Sequence, residues 1–419
     1  MNQTGIVNFN MYTEIVFGAG AEKKAAEMIK KHGGKKVMLV YGEGSVKKSG
    51  LYDTLTGLLD GAGIPFVELG GVKPNPLRST AMRGLEYAKR EGVDFLLAAG
   101  GGSVIDTAKA IALGLAYDGD FWDFYLKKAV PERSAKVGAI NTISAAGSET
   151  SGSSVIVDDV GGTFKKSVMY PGVVRPVFAL ENPELTYSVS KYQTAAGASD
   201  IIAHSFDRYF LADSCRLADE FASGLIRTVM KYAPAALCKP DDYEARSELM
   251  LAGSFSHNDF TGVGKRGYVF SVHGLESYLS AAYDTSHGAG LALLMPAWLE
   301  YIARNGGAER TRHAAQFARD VFGTRTGDDM AAALEGARML REWFASIGMP
   351  VKLSDLGIPE SDIPEIVKNT RSDERGILPG YLELDKKAVK EIFDSTALRG
   401  TAKQNIAQGR YLKEDFRQI

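Results

Sequence analysis

The sequence predicts an α/β domain built on a parallel β-sheet, followed by an all-α domain. In the first half, near-continuous apolar runs alternate with amphipathic helical patterns, which is typical of a parallel sheet covered by helices on both faces. From about residue 190 the apolar residues recur with the period of a helix instead. A chain of 419 residues is too long for a single core. We therefore expect two domains, residues 1–187 and residues 188–419.

Strands are predicted at short apolar runs that stop at glycine or polar residues. They cover residues 36–41, 64–69, 94–100 and 137–143, with two further short strands at 154–158 and 176–180. Amphipathic helical patterns lie between them, for example at residues 51–63 and 79–92, and the second stops at Gly92. Residues 17–24, FGAGAEKK, match a dinucleotide fingerprint only in part because Lys23 replaces its third glycine, so a turn is predicted there.

The second half carries helical patterns at residues 194–211, 218–237 and 329–348, and little in it predicts a strand. The alternating strand and helix pattern of the first half gives way to the helical pattern near ENPELTYSVSKYQ, where Pro183 interrupts the periodicity. The polar residues 399–419 predict an appended tail.

The composition is that of a soluble globular protein, with 45% hydrophobic and 24% charged residues. A net charge of −2 argues against nucleic acid or an anionic membrane as a partner, because both require a basic surface. No apolar run is long enough to span a membrane. The two cysteines, Cys215 and Cys238, form no recognisable motif, which favours a reducing cytoplasm.

A phosphate-binding turn is predicted at residues 98–109, AAGGGSVIDTAK. A buried strand ends there in three glycines and a serine, and a helix follows at once. Glycines allow a diphosphate to approach the backbone, while the unpaired N–H groups and dipole of the first helical turn attract its charge. The alternative is a tight strand-to-helix turn that binds no ligand.

A second candidate cofactor segment is YGEGSVKKSG at residues 41–50, which also follows a strand. Its glycines Gly42 and Gly44 and the hydroxyl of Ser45 suit the adenosine ribose. Ser45 and the lysines at 47 and 48 suit a 2′-phosphate, whereas Glu43 suits a free 2′-hydroxyl. The alternative is an exposed turn with solvated lysines.

A metal site is predicted from one carboxylate and three imidazoles. Asp200 and His204 are four residues apart on a predicted helix, so they share one face and can hold one ion. His273 and His287, each followed by glycine, complete the set. A divalent ion held by these four groups keeps a positive charge that can polarise a substrate oxygen.

Several motifs resemble the iron-containing alcohol dehydrogenase family over nearly the whole chain. They are NPL after the third strand, GGGSVIDTAK, GSE at 147–149, GASDIIAHSFD and HGLESYLSAAYDTSHGAGLALLMP. The segment YGEGSVKKSGLYD further resembles the branch of butanol dehydrogenases and NADPH-dependent aldehyde reductases. The resemblance implies a Rossmann-like N-terminal domain, a helical C-terminal domain of the dehydroquinate synthase-like fold, an active site in the cleft between them, and a homodimer.

The resemblance also implies roles for particular residues. Asp200, His204, His273 and His287 fall on the metal positions of the family. Lys166 matches a lysine near the nicotinamide. The cofactor positions are Asn75, Gly101, Gly102, Ser103, Asp106 and Thr142.

The chain departs from the family pattern at four places. Ser277 stands where relatives carry a histidine near the substrate, and Ala146 replaces a threonine before GSE. Glu43 interrupts a Gly-Gly-Gly-Ser run typical of the NADPH-dependent branch, and Asn182 replaces an aspartate before Pro183. Because serine does not titrate near neutral pH, we expect a water chain through Ser277 and the cofactor ribose to carry the proton.

The predicted reaction is reversible hydride transfer between NAD(P)H and a primary alcohol or aldehyde, with a divalent metal as Lewis acid. Iron is the first expectation for the metal and zinc the second, since imidazole and carboxylate accept both. NADP(H) is favoured over NAD(H). Two alternatives stay open, a polyol dehydrogenase resembling glycerol dehydrogenase and a catalytically impaired nucleotide-binding or metal-binding relative.

Overall fold

The computed structural model describes residues 8–162, 165–267 and 269–397, so the predicted tail at 399–419 lies outside the described residues. The first half carries the strands. They are β1 (Glu14–Phe17), β2 (Val37–Gly42), β3 (Phe66–Val72), β4 (Phe95–Gly100), β5 (Lys136–Asn141), β6 (Ser153–Val157), β7 (Lys165–Met169) and β8 (Phe178–Glu181).

Six of these strands form one parallel sheet in the order β1-β8-β5-β4-β2-β3. The predicted parallel sheet is therefore confirmed. Two details of the structure were not predicted. The turn predicted at residues 17–24 is present as a bend and turn at residues 18–20, but the edge strand β1 that ends just before it was missed because it is only four residues long and has exposed ends. The strand predicted at 154–158 is present as β6, but its antiparallel pairing with β7 outside the parallel sheet was not predicted.

Strands β2 and β4 carry no charged residue because both faces of the sheet are buried there. On β2, Val37, Leu39 and Tyr41 pack into one core, while Met38 and Val40 pack into another. Alternate side chains of a strand point to opposite faces, so a strand covered on both sides shows no polar alternation. This burial explains why the strand prediction succeeded best at β2 and β4.

The helices follow the predicted alternation and then fill the second half. Those of the first half are α1 (Ala25–Lys31), α2 (Ser45–Lys48), α3 (Leu51–Gly61), α4 (Arg78–Glu91), α5 (Gly102–Leu115), α6 (Trp122–Tyr125) and α7 (Pro171–Val174). Those of the second half are α8 (Lys191–Tyr209), α9 (Arg216–Cys238), α10 (Tyr243–His257), α11 (Ser271–Ala282), α12 (His287–Asn305), α13 (Gly307–Phe322), α14 (Asp329–Ser346), α15 (Ile363–Asn369) and α16 (Lys386–Ala397). Gly92 ends α4 at a φ of 67°, a left-handed conformation that glycine adopts without strain.

Two compact units emerge from the contacts within the described chain. One consists of residues 8–201 and 232–260 and contains the sheet, and the other consists of residues 202–231 and the described residues from 261 to 397. No helix among the described residues carries an apolar stretch long enough to cross a bilayer.

Candidate active site

The predicted cofactor residues of the sheet-containing unit lie at the carboxyl ends of its strands. Gly42 is the last residue of β2, Gly101 follows β4 and Thr142 follows β5. Asn75 comes three residues after β3 and adopts a φ of 54°, which asparagine tolerates better than most residues. In open parallel sheets, ligands bind outside the carboxyl ends of the strands. The structure thus brings these residues to the edge where a dinucleotide is expected.

The three glycines at the junction of β4 and α5 have different roles. A Cβ atom on Gly100 would lie 2.6 Å from Val104, and one on Gly101 would lie 2.5 Å from Ile143, so packing within the protein already requires both glycines. A Cβ on Gly102 would meet its nearest neighbour, Ala146, at an ordinary 3.6 Å. The N-terminus of α5 has no side-chain cap, so the backbone N–H groups of Gly102 and Ser103 at its first turn are suited to an anion.

Lys109 and Asp106 hold the loop that contains the GSE motif. The buried Lys109 ammonium donates to the carbonyl oxygens of Ser148 at 2.7 Å, Ser151 at 3.0 Å and Ser153 at 2.7 Å. Burial lowers the pKa of Lys109 to about 8. Asp106 accepts hydrogen bonds from Ser148 Oγ at 2.6 Å and from the backbone N–H of Val155 at 2.9 Å, and burial raises its pKa. The structure shows Asp106 as an anchor of this loop, and its contact with the cofactor stays a prediction.

The segment after β2 is supported by two tyrosines that sequence reasoning missed. Tyr41 and Tyr52 each donate a hydrogen bond to Glu68, at 2.8 and 2.7 Å. Burial, with the neighbouring Glu68, raises the pKa of Tyr41 to about 12. The Lys47 ammonium lies 4.7 Å from the centre of the Tyr52 ring and 5.3 Å from that of Tyr41. Lys47 is therefore engaged by aromatic rings, while Ser45 at the start of α2 is exposed.

Three of the four predicted metal ligands lie together. Asp200 and His204, one turn apart on α8, are both buried, and one ligand atom from each of Asp200, His204 and His273 lies within 4.8 Å of the other two. The His204 and His273 ring centres are 4.5 Å apart. Two imidazoles and a carboxylate are donors suited to Fe²⁺, Zn²⁺, Co²⁺ or Mn²⁺. The residues present fit a divalent ion of this kind.

His287, the fourth predicted ligand, is the first residue of α12. Its ring centre lies 5.3 Å from that of His273, and its ligand atoms are not part of the three-residue group. His287 is also more exposed than the other two histidines, with a third of its side chain accessible. Its coordination of the ion stays a prediction.

Two buried carboxylates beside the histidines escaped the sequence reasoning. Asp207 on α8 accepts a hydrogen bond from Nδ1 of His273 at 2.7 Å, and Glu276 on α11 accepts one from Nδ1 of His287. Both carboxylates are almost completely inaccessible. A signal was present in the sequence, because each carboxylate follows a predicted ligand, His204 or His273, by three residues and hence shares its helix face.

The two predicted catalytic residues lie on different elements. Lys166 is exposed on β7, opposite Ile156 of β6. Ser277 is half-buried on α11, and its hydroxyl donates to the backbone carbonyl of Gly274 at 3.0 Å. The absence of a side chain at Gly274 makes room for Leu378, since a Cβ on residue 274 would lie 2.8 Å from that leucine.

Both halves of the chain match family models. Residues 13–183 match the model described as iron-containing alcohol dehydrogenase, and residues 194–397 match the C-terminal model of the Fe-containing alcohol dehydrogenase family.

Named relatives match over most of their length. The chain is 37% identical to NADH-dependent butanol dehydrogenase A of Clostridium acetobutylicum, over 92% of this chain and 98% of that protein. It is 32% identical to an NADPH-dependent aldehyde reductase of Escherichia coli, over 86% and 92% of the two chains. Among solved structures, NADH-dependent butanol dehydrogenase A of Thermotoga maritima is similar with a TM-score of 0.88 and 38% identity, covering 94% of this chain and 98% of that one.

Proposed function

The chain belongs to the iron-containing alcohol dehydrogenase family, and from this premise we propose that it catalyses the reversible, NAD(P)H-dependent interconversion of an alcohol and its aldehyde. The observation that carries the proposal is the cluster of Asp200, His204 and His273, which supplies donors for one divalent ion. The names of the relatives, butanol dehydrogenase and aldehyde reductase, support a primary alcohol or aldehyde as substrate.

The proposed metal ligands are Asp200, His204, His273 and His287, with iron as the first expectation and zinc as the second. A bound divalent ion would act as a Lewis acid toward the substrate oxygen, and the nicotinamide would supply or accept the hydride. The protein's own contribution is to fix the ligand side chains before the ion arrives. Asp200 and His204 do so by sharing one face of α8, where burial restricts their rotamers.

The proposed dinucleotide site uses the carboxyl edge of the sheet. The first-turn N–H groups of α5 bind the diphosphate, and the loop held by Lys109 lies next to them, since Ala146 is the nearest neighbour of Gly102. The remaining residues in the proposed site are Gly42, Gly44, Ser45, Asn75, Gly101, Ser103, Asp106 and Thr142.

The proposed preference for NADP(H) over NAD(H) depends on the balance between side chains that favour a 2′-phosphate and one that disfavours it. The exposed Ser45 and Lys48 suit a 2′-phosphate, whereas the exposed carboxylate of Glu43 repels one and suits a free 2′-hydroxyl. The relatives differ in the same respect, since one is named for NADH and another for NADPH. Glu43 is the residue that weakens the proposed preference.

The proposed catalytic residues beyond the metal ligands are Lys166, at the nicotinamide end, and Ser277, in the proton path. The Ser277 hydroxyl hydrogen is directed to Gly274, so its oxygen is the atom that can accept a hydrogen bond from water. We place the chain in the cytoplasm as a homodimer with domains 1–187 and 188–419. Its cysteines form no disulfide, which suits a reducing compartment.

The test is NAD(P)H oxidation with butanal by protein purified without added metal and then supplied with Fe²⁺ or Zn²⁺. We expect metal-dependent turnover, and alcohol oxidation in the reverse assay. Glycerol serves as the comparison substrate. Faster turnover of glycerol than of butanol would assign the chain to polyol oxidation, and no turnover of any alcohol or aldehyde by metal-loaded protein would overturn the proposal.

A further inference from the structure

We propose that Asp207 and Glu276 are positioning residues that set the affinity of the metal centre, by fixing which nitrogen of His273 and of His287 faces the ion. This inference rests on the proposed metal centre. Neither carboxylate was predicted from the sequence, and both belong to the same compact unit as the two histidines.

Asp207 performs two tasks with one carboxylate. Its oxygens accept the backbone N–H groups of Val272 at 3.1 Å and His273 at 3.2 Å, which are first-turn donors of α11. The residue at the N-cap position of α11, Phe270, offers no side-chain cap, so Asp207 of α8 takes that role from a different helix. The same carboxylate binds Nδ1 of His273 at 2.7 Å. The start of α11 and the ring of His273 are therefore fixed by a single group.

Glu276 performs the corresponding task one helix later. It lies on α11, accepts from Nδ1 of His287 at the start of α12, and is held in turn by Ser280 Oγ at 3.1 Å. The side chain fills a space left by a glycine, because a Cβ on Gly290 would lie 2.7 Å from Glu276 Cγ. Glu276 is completely buried, and these contacts hold its carboxylate beside His287.

The two contacts have the same chemical consequence. Because Nδ1 of each ring carries the hydrogen that the carboxylate accepts, Nε2 is the nitrogen with a lone pair for a metal ion. Outer carboxylates of this kind orient a ligand histidine and raise its basicity, and their loss commonly weakens metal binding about 10–100-fold. They also change the charge balance. A divalent ion with Asp200 has a formal charge of +1, which the carboxylates of Asp207 and Glu276 convert to −1.

The experiment measures Co²⁺ and Zn²⁺ affinity of the full-length protein by competition with a chelator, together with the visible spectrum of the Co²⁺ form. The variants are Asp207→Asn and Glu276→Gln, which remove charge and keep size. Asp207→Asn also keeps an acceptor for the α11 N–H groups. We expect each variant to bind either ion about 10-fold or more weakly and to shift the Co²⁺ ligand-field bands.

The matched control is Glu300→Gln, the same chemical change on α12, at a carboxylate that binds Arg304 and Arg341 instead of a histidine. Its affinity and spectrum should equal those of the unchanged protein. Thermal unfolding of the metal-free variants distinguishes a folding defect from a loss of ligand positioning. A folding defect alone would lower the unfolding temperature without shifting the Co²⁺ bands. Unchanged affinity and spectra in both variants would overturn the positioning role. Failure of the unchanged protein to bind either ion would instead overturn the proposed metal centre.

Discussion

Glu149 and Glu181, far apart in the chain, share one hydroxyl group. Ser254 Oγ lies 2.7 Å from a carboxyl oxygen of Glu149 and 2.5 Å from one of Glu181, and all three residues are buried. A hydroxyl has one hydrogen to donate, so the second contact requires a hydrogen on one of the carboxyl groups. Burial raises the pKa of both glutamates, and the charge of Glu149 raises that of Glu181 further. Above the ordinary carboxyl pKa, the folded protein therefore retains a proton on this pair of glutamates that the unfolded chain releases.

This retained proton predicts that the folded protein loses stability as the pH rises. Below the ordinary carboxyl pKa of about 4.3, both states are protonated and the pair has no effect. Above it the folded state binds more protons than the unfolded state, so the free energy of unfolding decreases until the raised pKa is passed. Glu181→Gln should reduce this decrease, measured by urea unfolding from pH 5 to 8. Glu184→Gln, at a neighbouring exposed carboxylate, should leave the slope unchanged. A steeper slope in Glu181→Gln would contradict the shared proton.

A second prediction concerns metal binding by α8. Asp200→Ala and His204→Ala each remove a proposed ligand, so the metal content after gel filtration should fall sharply and butanal reduction should fall on the order of 100-fold or more. Even the loss of outer partners reaches that range. His32→Asn, which changes a histidine at the end of α1, is the control and should retain metal and activity. Normal metal content in both α8 variants would remove these residues from the site.

A third prediction concerns the dinucleotide. Glu43→Gly restores the glycine run of the NADPH-dependent branch and removes a carboxylate that would face a 2′-phosphate. The ratio of kcat/KM for NADPH to that for NADH should rise about 10-fold, equivalent to about 1.4 kcal/mol. Asp60→Asn, an exposed carboxylate at the end of α3, should leave the ratio unchanged. An unchanged ratio in Glu43→Gly would show that residue 43 does not distinguish the 2′-phosphate of NADPH from the 2′-hydroxyl of NADH.

The parts of the fold that sequence predicted are those where one physical rule dominates. Strands β2 and β4 are buried on both faces and so are apolar throughout, and α4 ends at a left-handed glycine. The edge strand β1 has exposed ends and a mixed composition, so its pairing with β8 depends on contacts distant in sequence. Strand β6 was predicted from its apolar run, whereas its partner β7 was missed because only two residues of KKSVM are apolar.

The candidate site divides in a similar way. Asp200 and His204 were predictable because helical spacing alone brings them to one face. Asp207 and Glu276 were missed because their partners lie on other helices, although each shares a face with a predicted ligand. Gly101 was predicted as a cofactor residue, and this stays a prediction. The packing requirement for a glycine there was not foreseeable, because it comes from Ile143, which follows a different strand.

A fourth prediction concerns the proton path. Ser277→Ala removes the hydroxyl oxygen and leaves no buried donor without a partner, because the serine donates only to a carbonyl of its own helix. If that oxygen belongs to the path, kcat should fall about 10-fold with little change in KM. Ser277→His should instead introduce a dependence of turnover on pH near 6.5, the ordinary pKa of histidine. Unchanged kcat in the first variant, with an unchanged pH profile in the second, would exclude position 277 from proton transfer.

The last prediction concerns Lys109, whose ammonium donates to three backbone carbonyls of one loop and lies 3.9 Å from a carboxyl oxygen of Asp106. Lys109→Met keeps the length of the side chain but leaves those carbonyls without their donor and removes the cation beside Asp106, whose side chain is 14% exposed. Breaking a buried pair in this way costs about 3–5 kcal/mol, so the urea midpoint should fall markedly and NAD(P)H binding, followed by fluorescence, should weaken. Lys23→Met, at an exposed lysine, should change the free energy of unfolding by no more than about 0.5 kcal/mol. A Lys109→Met protein as stable as the unchanged chain, with the same affinity for NAD(P)H, would show that the loop is held by its own backbone.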